Sequence, residues 1–228
     1  MQATMPKAGA APEGERKPPA HGPCLRLLPA APGHQRFVVE AFIRRRFAEE
    51  HAARITRFMP SLFGLHASDG SLHGAVGLRR AATGPLFLER YLDLPIEQAI
   101  EARCGEAVAR GEIAEVGNLA ADGRGTARRL IVSLAGQLGG QGVRWVAFTA
   151  TPALLNSFRR LGLALHRLGP ADPARIGPER ADWGRYYDCR PQVVAGRLCD
   201  DLFPRGASPG AVGAEPPTFP LRFHAARP

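Results

Sequence analysis

The stretch EIAEVGNLAADGRGTARRLIVSLAGQLGGQGVRWVAFT, residues 112–149, decides the fold of this chain. Its first ten residues are typical of a strand, and DGRGT follows as a glycine-rich turn. Apolar residues then recur with a helical period before Gly139-Gly140, at positions 127, 130, 131, 134, 135 and 138. The apolar run VRWVAFT predicts a strand that is buried on both faces. A strand, a helix and a strand this close together predict a crossover between two parallel strands.

Strands and helices alternate outward from this segment, around an insert at residues 84–111. Ser68-Asp69-Gly70 predicts a hairpin turn, and Thr151-Pro152 predicts the start of a helix. The other predicted strands are 24–28, 61–67, 72–80, 163–168 and 193–198, and the other predicted helices are 35–50, 96–110 and 152–161. This order predicts an α/β (α+β) domain with a mixed sheet and helices on both faces. We expect that domain to span residues 23–200, between a disordered segment, 1–22, and a Pro/Gly-rich tail, 201–228.

Composition and charge narrow the classes of function. The chain has 228 residues and nine more basic than acidic residues, but only two of its thirty basic residues are lysine. Aromatic and basic residues are not interleaved on any one element, so nucleic-acid binding is not expected. The four cysteines form no CxxC pair and indicate free thiols in a reducing cytoplasm, without a metal site. We expect a cytoplasmic protein without a signal peptide or a transmembrane segment, because the longest uncharged stretch, 145–158, is short and partly polar.

The glycine-rich turn predicts an anion-binding site. Glycines between a strand and a helix let the backbone approach a ligand, and the N–H groups of the first helical turn favour phosphate. Arg128 stands where a dinucleotide fingerprint needs its third glycine, and no acidic residue follows the next strand. No GKS or GKT sequence follows the turn, which excludes a P-loop. Two interpretations of the turn therefore remain: a binding site for pyrophosphate, and a tight connection between strand and helix without a ligand.

Three resemblances extend this interpretation. Gly125-x-Ala127, which opens an arginine-rich helix, resembles motif A of the GNAT acyltransferases, with Asp122 where that motif usually carries Gln or Arg. The run 78–121 is similar to the acyl-homoserine-lactone synthases, GNAT relatives that use acyl-carrier protein or acyl-CoA. Over residues 35–198 the chain resembles the bacterial thermostable hemolysin family in the strings LRRAATGPLFLERYLDLPIE, EIAEVGNLA, GTARRLIVSLAGQL, WVAFTAT, LLNSFRRLGL, ADPARI, WGRYY and PQVVAGRL. The resemblances imply a GNAT-like, mostly antiparallel sheet with a central, splayed pair of parallel strands.

The site residues follow from the turn and from these resemblances. In a regular strand Glu115 shares a face with Gly117 and not with Asn118, and that face is either solvent or a cleft. Gly117 indicates a bulge that splays the strands and leaves room for a pantetheine arm. Phe158 stands where GNAT enzymes usually carry a tyrosine general acid. The catalytic candidates are Glu115 and Asn118; the cofactor-binding candidates are Val116, Gly117, Gly123, Arg124, Gly125, Thr126, Ala127, Arg128 and Asn156; and the substrate candidates are Glu89, Tyr91, Tyr186 and Tyr187.

The leading hypothesis is N-acyl transfer. An acyl group, expected to be fatty, passes from acyl-CoA or acyl-carrier protein to a small amine, with the thioester as co-substrate and no tightly bound cofactor. An amphiphilic product of this reaction would itself lyse cells. A directly membrane-lytic cytolysin and a non-catalytic acyl-CoA-binding module are the alternatives. The acyl length, the acceptor and the oligomeric state are left open.

Overall fold

The computed structural model describes residues 24–160 and 164–198. The predicted segments 1–22 and 201–228 lie outside the described residues, as do residues 161–163, where the predicted helix 152–161 meets the predicted strand 163–168. The strands are β1 (Arg26–Pro29), β2 (Ser61–His66), β3 (Leu72–Arg80), β4 (Ile113–Ala121), β5 (Trp145–Ala150), β6 (Leu165–Pro170) and β7 (Gln192–Arg197). The α-helices are α1 (His34–His51), α2 (Ile96–Cys104), α3 (Arg124–Gly139) and α4 (Pro152–Arg160).

The strands form one sheet in the order β1-β2-β3-β4-β5-β7-β6. β4 and β5 run parallel, and all other neighbouring strands run antiparallel. The predicted mixed, mostly antiparallel sheet with a central parallel pair is therefore confirmed. β4 and β5 pair only from Ile113 opposite Trp145 to Glu115 opposite Ala147. Beyond that pair, residues 116–121 and 148–150 have no ladder contacts with each other, so the two strands splay apart as predicted.

The helices cover both faces of the sheet. α1 packs against Ala75 and α3 packs against Val76, and these neighbours in β3 point to opposite faces. On β5, Ala147 packs against α2 and the insert, whereas Phe148 packs against α4. α1 and α2 thus share one face of the sheet, and α3 and α4 share the other.

The ends of the helices follow local chemistry. The Thr151 hydroxyl accepts the Leu154 N–H at 3.3 Å, which is the predicted N-cap of α4. The predicted extension of the helix at 96 to residue 110 is wrong, because Gly105 adopts a left-handed φ of 72° and its N–H donates to the Glu101 carbonyl. No helix in the described ranges is long and apolar enough to cross a bilayer.

Candidate functional site

The splay between β4 and β5 opens a cavity of about 1100 Å³ that reaches both faces of the sheet. Phe87 of the insert lines it on the α1 and α2 face, and Ile131 of α3 lines it on the other face. The backbone of both strands faces the opening from residue 116 of β4 and residue 148 of β5 onward. An extended ligand can therefore pass from one face of the sheet to the other between these two strands. The backbone N–H and C=O groups along their facing edges are not paired with each other there.

A β-bulge in β4 shapes the wall of this cavity. Between the cross-strand pairs Ala75–Ala120 and Gly77–Gly117, β4 carries one residue more than β3. Asn118 takes up the extra length with a left-handed φ of 50°, a conformation that asparagine tolerates better than most residues. A Cβ at Gly77 would lie 3.0 Å from the Asn118 Oδ1, which places this amide on the face of Glu115. The alternation that puts Asn118 on the opposite face is therefore wrong, because the bulge resets the pleat.

Met59 fills the space that two glycines leave beside the bulge. The Asn118 Oδ1 accepts the Met59 N–H at 2.9 Å. A Cβ at Gly77 would lie 2.6 Å from the Met59 Cβ, and a Cβ at Gly117 would lie 2.5 Å from its Cε. The expectation that Gly117 leaves room for a pantetheine arm is wrong on this face, because the Met59 side chain occupies that room. Val116 also lines the cavity and packs on the side of α3 and α4.

Glu115 is the buried carboxylate of the site, with 3% of its surface exposed. It lines the cavity from the face of the insert, and not from a solvated face. Its two oxygens accept the N–H groups of Phe87 and Leu88, each at 2.9 Å, at the start of a 3₁₀ turn (Leu88–Tyr91). Burial raises the pKa of Glu115, and the two N–H donors and the charge of Arg79 offset part of that rise. Glu115 therefore anchors the insert to β4 and presents a carboxyl group to the cavity.

The predicted turn leads from β4 into α3 at the edge of the cavity. Gly123 and Ala127 line the cavity, whereas Gly125, Thr126 and Arg128 lie on the same first turn outside its wall. A Cβ at Gly123 or Gly125 would meet no non-neighbouring atom within 4 Å, so packing does not demand either glycine. The first N–H groups of α3 have no acceptor within the helix and can bind an anion at this open surface.

Two charged residues, Asp122 and Arg124, lie at the start of this turn. The Asp122 carboxylate lies 3.2 Å from Nδ1 of His73 on β3, and the Asp122 N–H donates to the His73 carbonyl at 3.0 Å. Arg124 is the first residue of α3, which fixes its backbone position at the predicted turn. The acidic residue in the motif position is thus tied to the neighbouring strand.

On α4, Asn156 is exposed and lines the cavity, as a residue that contacts a carrier arm would. Phe158, in the position of the usual tyrosine, is buried and packs against Phe148 with ring centroids 4.8 Å apart. Its ring therefore fills the core beneath α4 and offers no hydroxyl to the site.

Of the four substrate candidates, only Tyr186 lies on the wall of the cavity among the described residues. Tyr186 lines the cavity, and its hydroxyl lies 3.3 Å from Oγ1 of Thr149 on β5. Tyr91 is buried in the core, and its hydroxyl lies 2.5 Å from that of Tyr187. Glu89 binds an arginine of the insert and two backbone N–H groups. Glu89, Tyr91 and Tyr187 do not lie on the wall of the cavity, so their assignment to the substrate stays a prediction without support from its geometry.

Other described residues on the α1 face contribute to the cavity without having been singled out by the sequence. Phe47, Phe87 and Trp183 surround one end of it, with the Trp183 ring 6.3 Å from Phe47 and 6.0 Å from Phe87. His51 also lines this end, and burial lowers its pKa. Arg79 on β3 lies beside them. These residues come from four separate parts of the chain, so no sequence spacing joins them.

Solved structures of acyltransferases share this fold. The acyl-homoserine-lactone synthase LasI matches with a TM-score of 0.54 and 13% identity, over 80% of this chain and 96% of that chain. FeeM, an N-acyl amino acid synthase from uncultured soil microbes, matches with a TM-score of 0.52 and 14% identity, over 78% and 92%. BjaI, a CoA-dependent acyl-homoserine-lactone synthase solved with SAM and isopentyl-CoA, matches with a TM-score of 0.50 and 14% identity, over 79% and 86%. The fold of this chain is therefore GNAT-like.

The sequence comparisons give the family. No curated protein matches the chain. The family described as Thermostable hemolysin matches residues 30–201 of the 228, which include all the described strands after β1 and all four helices. The chain therefore belongs to the thermostable hemolysin family.

Proposed function

We propose that this protein is an N-acyltransferase that moves an acyl group, fatty in character, from acyl-CoA or acyl-carrier protein to a small amine. The observation that carries the proposal is the cavity itself, which runs between the splayed strands from the first turn of α3 to the buried carboxyl group of Glu115. An anion-binding turn and a buried carboxyl group at one opening suit a phosphate-bearing carrier whose reactive end must meet a base.

The donor is proposed to lie along the opening with its phosphate at α3. The turn residues Gly123, Arg124, Gly125, Thr126, Ala127 and Arg128 surround the N–H groups that would bind pyrophosphate. The pantetheine arm would then follow the unpaired edges of β4 and β5 past Val116 and Asn156. Because Met59 fills the notch at Gly117, we place the arm on the α3 and α4 side of β4. The apolar walls beyond it suit a fatty chain.

The reaction forms an N–C bond and breaks a C–S bond. The amine reaches the cavity as an ammonium ion and loses one proton before its nitrogen attacks the thioester carbon. The carbonyl oxygen carries the negative charge of the tetrahedral intermediate, and hydrogen-bond donors at the strand edge stabilise it. When the C–S bond breaks, the nitrogen loses a second proton and the leaving thiolate takes one up. The products are an amide, a free thiol and one released proton.

Glu115 is proposed as the base that accepts the proton of the ammonium ion. A carboxylate offers about four acceptor directions, of which the Phe87 and Leu88 N–H groups use two. Burial raises the pKa of Glu115, which makes it a better proton acceptor than a solvated carboxylate. Asn118, held by the Met59 N–H on the same face, is proposed to orient the reacting groups.

Release of free thiol tests the proposal. Purified protein is incubated with decanoyl-CoA or decanoyl-acyl-carrier protein and a panel of amines, and thiol and amide are measured. We expect amine-dependent thiol release, and a Glu115→Gln protein should lose about 100-fold or more in turnover. Glu112→Gln is the matched control, because Glu112 directly precedes β4 and its carboxylate forms only an exposed ion pair with Arg144.

Two results would count against the proposal. A folded Glu115→Gln protein with full turnover would remove the proposed base. The absence of thiol release and of any thermal shift with acyl-CoAs of several chain lengths would reject the transferase. In that case, lysis of red cells by lipid-free protein without any thioester would favour a direct cytolysin, whereas a thermal shift without turnover would favour a binding module.

A further inference from the structure

Arg79 lies directly across from the proposed base. It is the cross-strand Cα partner of Glu115 in the antiparallel pair of β3 and β4, so the two side chains project from the same face. Both residues line the cavity. Side chains of such a pair start about 5 Å apart at Cβ. A guanidinium group and a carboxyl group therefore share one end of the cavity.

Arg79 differs from the other arginines of the cavity wall in its partners. Its guanidinium donates to the Pro85 carbonyl at 3.0 Å, and within residues 24–160 and 164–198 no carboxylate lies within 4.0 Å of it. The other described arginines on the wall all have carboxylate partners; these are Arg46, Arg57, Arg90 and Arg197. The charge of Arg79 lowers the pKa of Glu115, although the Arg79 guanidinium donates to the Pro85 carbonyl and the Glu115 oxygens accept from the Phe87 and Leu88 N–H groups. A positive group facing the cavity without a carboxylate suits an anionic group of a ligand.

We propose that Arg79 binds the carboxylate of the acyl acceptor, and that the acceptor is an α-amino acid whose amine faces Glu115. This inference rests on the proposed acyl transfer and names its substrate class. The ammonium and carboxylate groups of an α-amino acid are both attached to its Cα atom, so the carboxylate can bind Arg79 while the ammonium group lies at the neighbouring Glu115. The product is an N-acyl amino acid, formed by the same exchange of a C–S bond for a C–N bond.

The neighbouring wall indicates an apolar side chain on the acceptor. Phe87 and Trp183 line the cavity on the same face, with ring centroids 6.0 Å apart. The Phe87 N–H binds Glu115, so this ring is fixed next to the proposed base. An aliphatic or aromatic side chain placed there would be removed from water against apolar surface.

Leucine and 3-methylbutylamine form the matched pair of acceptors that tests this inference, because they differ only in the carboxylate. With the wild-type protein and decanoyl-CoA, we expect leucine to be acylated with the lower KM. Arg79→Gln should raise the KM for leucine about 10- to 100-fold, the worth of a charge-assisted contact, and raise the KM for 3-methylbutylamine much less. Arg79→Lys should recover part of the loss. Arg45→Gln, an exposed substitution on α1 away from the cavity, is the control.

A merely structural role for Arg79 would impair both acceptors alike, and that result would overturn the inference. Equal use of leucine and 3-methylbutylamine by the wild type would also overturn it, while leaving the acyltransferase intact. Direct binding of N-decanoylleucine, measured by calorimetry, separates the two proposals. Binding that Arg79→Gln abolishes, without turnover of any amine, would support the carboxylate site and reject the transferase. Neither binding nor turnover would reject both.

Discussion

Replacement of Arg110 by methionine should loosen the insert that carries Phe87. The Arg110 guanidinium binds Glu89 through two nitrogens at 2.6 and 2.9 Å and binds Glu97 at 2.7 Å. It also donates to the carbonyls of Ala81 and Gly84, each at 3.0 Å. Methionine keeps the apolar stem of the side chain and removes all of these bonds. The segment that presents two N–H groups to Glu115 would then lose its main polar support.

The expected loss follows from the ionisation of Glu89. Burial by itself raises the pKa of Glu89, but hydrogen bonds from Arg110 and from two backbone N–H groups outweigh it and lower the pKa from 4.5 to about 2. That difference corresponds to about 3 kcal/mol of stability at neutral pH. Solvent screening reduces the share that belongs to Arg110, whose side chain is 30% exposed. We expect Arg110→Met to lower the free energy of unfolding by about 2 kcal/mol.

Urea unfolding followed by tryptophan fluorescence measures this loss. Because the folded pKa of Glu89 is depressed, its contribution is present above its ordinary pKa of 4.5 and is lost as the pH falls toward 2. The difference between wild type and Arg110→Met should therefore shrink over that range. Arg144→Met, which breaks only the exposed pair with Glu112 at 3.5 Å, is the control and should change stability by less than about 0.5 kcal/mol. Equal effects of the two substitutions at pH 7 would refute the reasoning.

Two further substitutions test the packing around the site. Gly77→Ala should cost about 1–3 kcal/mol of stability, because the new Cβ meets the Cβ of Met59, whereas Gly117→Ala meets only its mobile methyl group and should cost less. Thermal melts that rank the two variants in the reverse order would contradict this packing. Tyr91→Phe should cost about 1 kcal/mol, because it removes the buried hydroxyl pair with Tyr187. That variant should retain the KM for acyl-CoA, and a large rise in that KM would return Tyr91 to the substrate site.

The element pattern was predictable because it depends on local chemistry. The 3.6-residue period after Gly125, the continuous apolar run of β5 and the Thr151 cap each act within a few residues. The end of α2 was missed although Gly105 carried the signal, because the apolar pattern continued past it. The segment Pro173–Trp183 received no assignment, since short 3₁₀ turns broken by Gly177 leave no periodic pattern.

The predicted residues that line the cavity fall mainly in one continuous stretch of sequence, with Asn156 and Tyr186 as the exceptions. Glu115, Gly123 and Ala127 line the cavity and lie within one strand and turn. Glu89 and Tyr91 were predicted to lie in the substrate site, but their hydrogen-bond partners Arg110 and Tyr187 are distant in the chain. Whether a polar side chain faces a cavity or a buried partner depends on elements that are far apart in the chain.

The sequence by itself determined the order of strands and helices, the glycine turn at α3 and the family, because periodicity, capping residues and ordered strings are properties of the chain. Only the tertiary structure decided that the bulge turns Asn118 toward Met59 and that Arg79 stands across from Glu115. Cross-strand register and bulges arise when strands pair, and a one-residue change in register moves every side chain to the other face. The pairing of β3 with β4 therefore set which charges face the cavity.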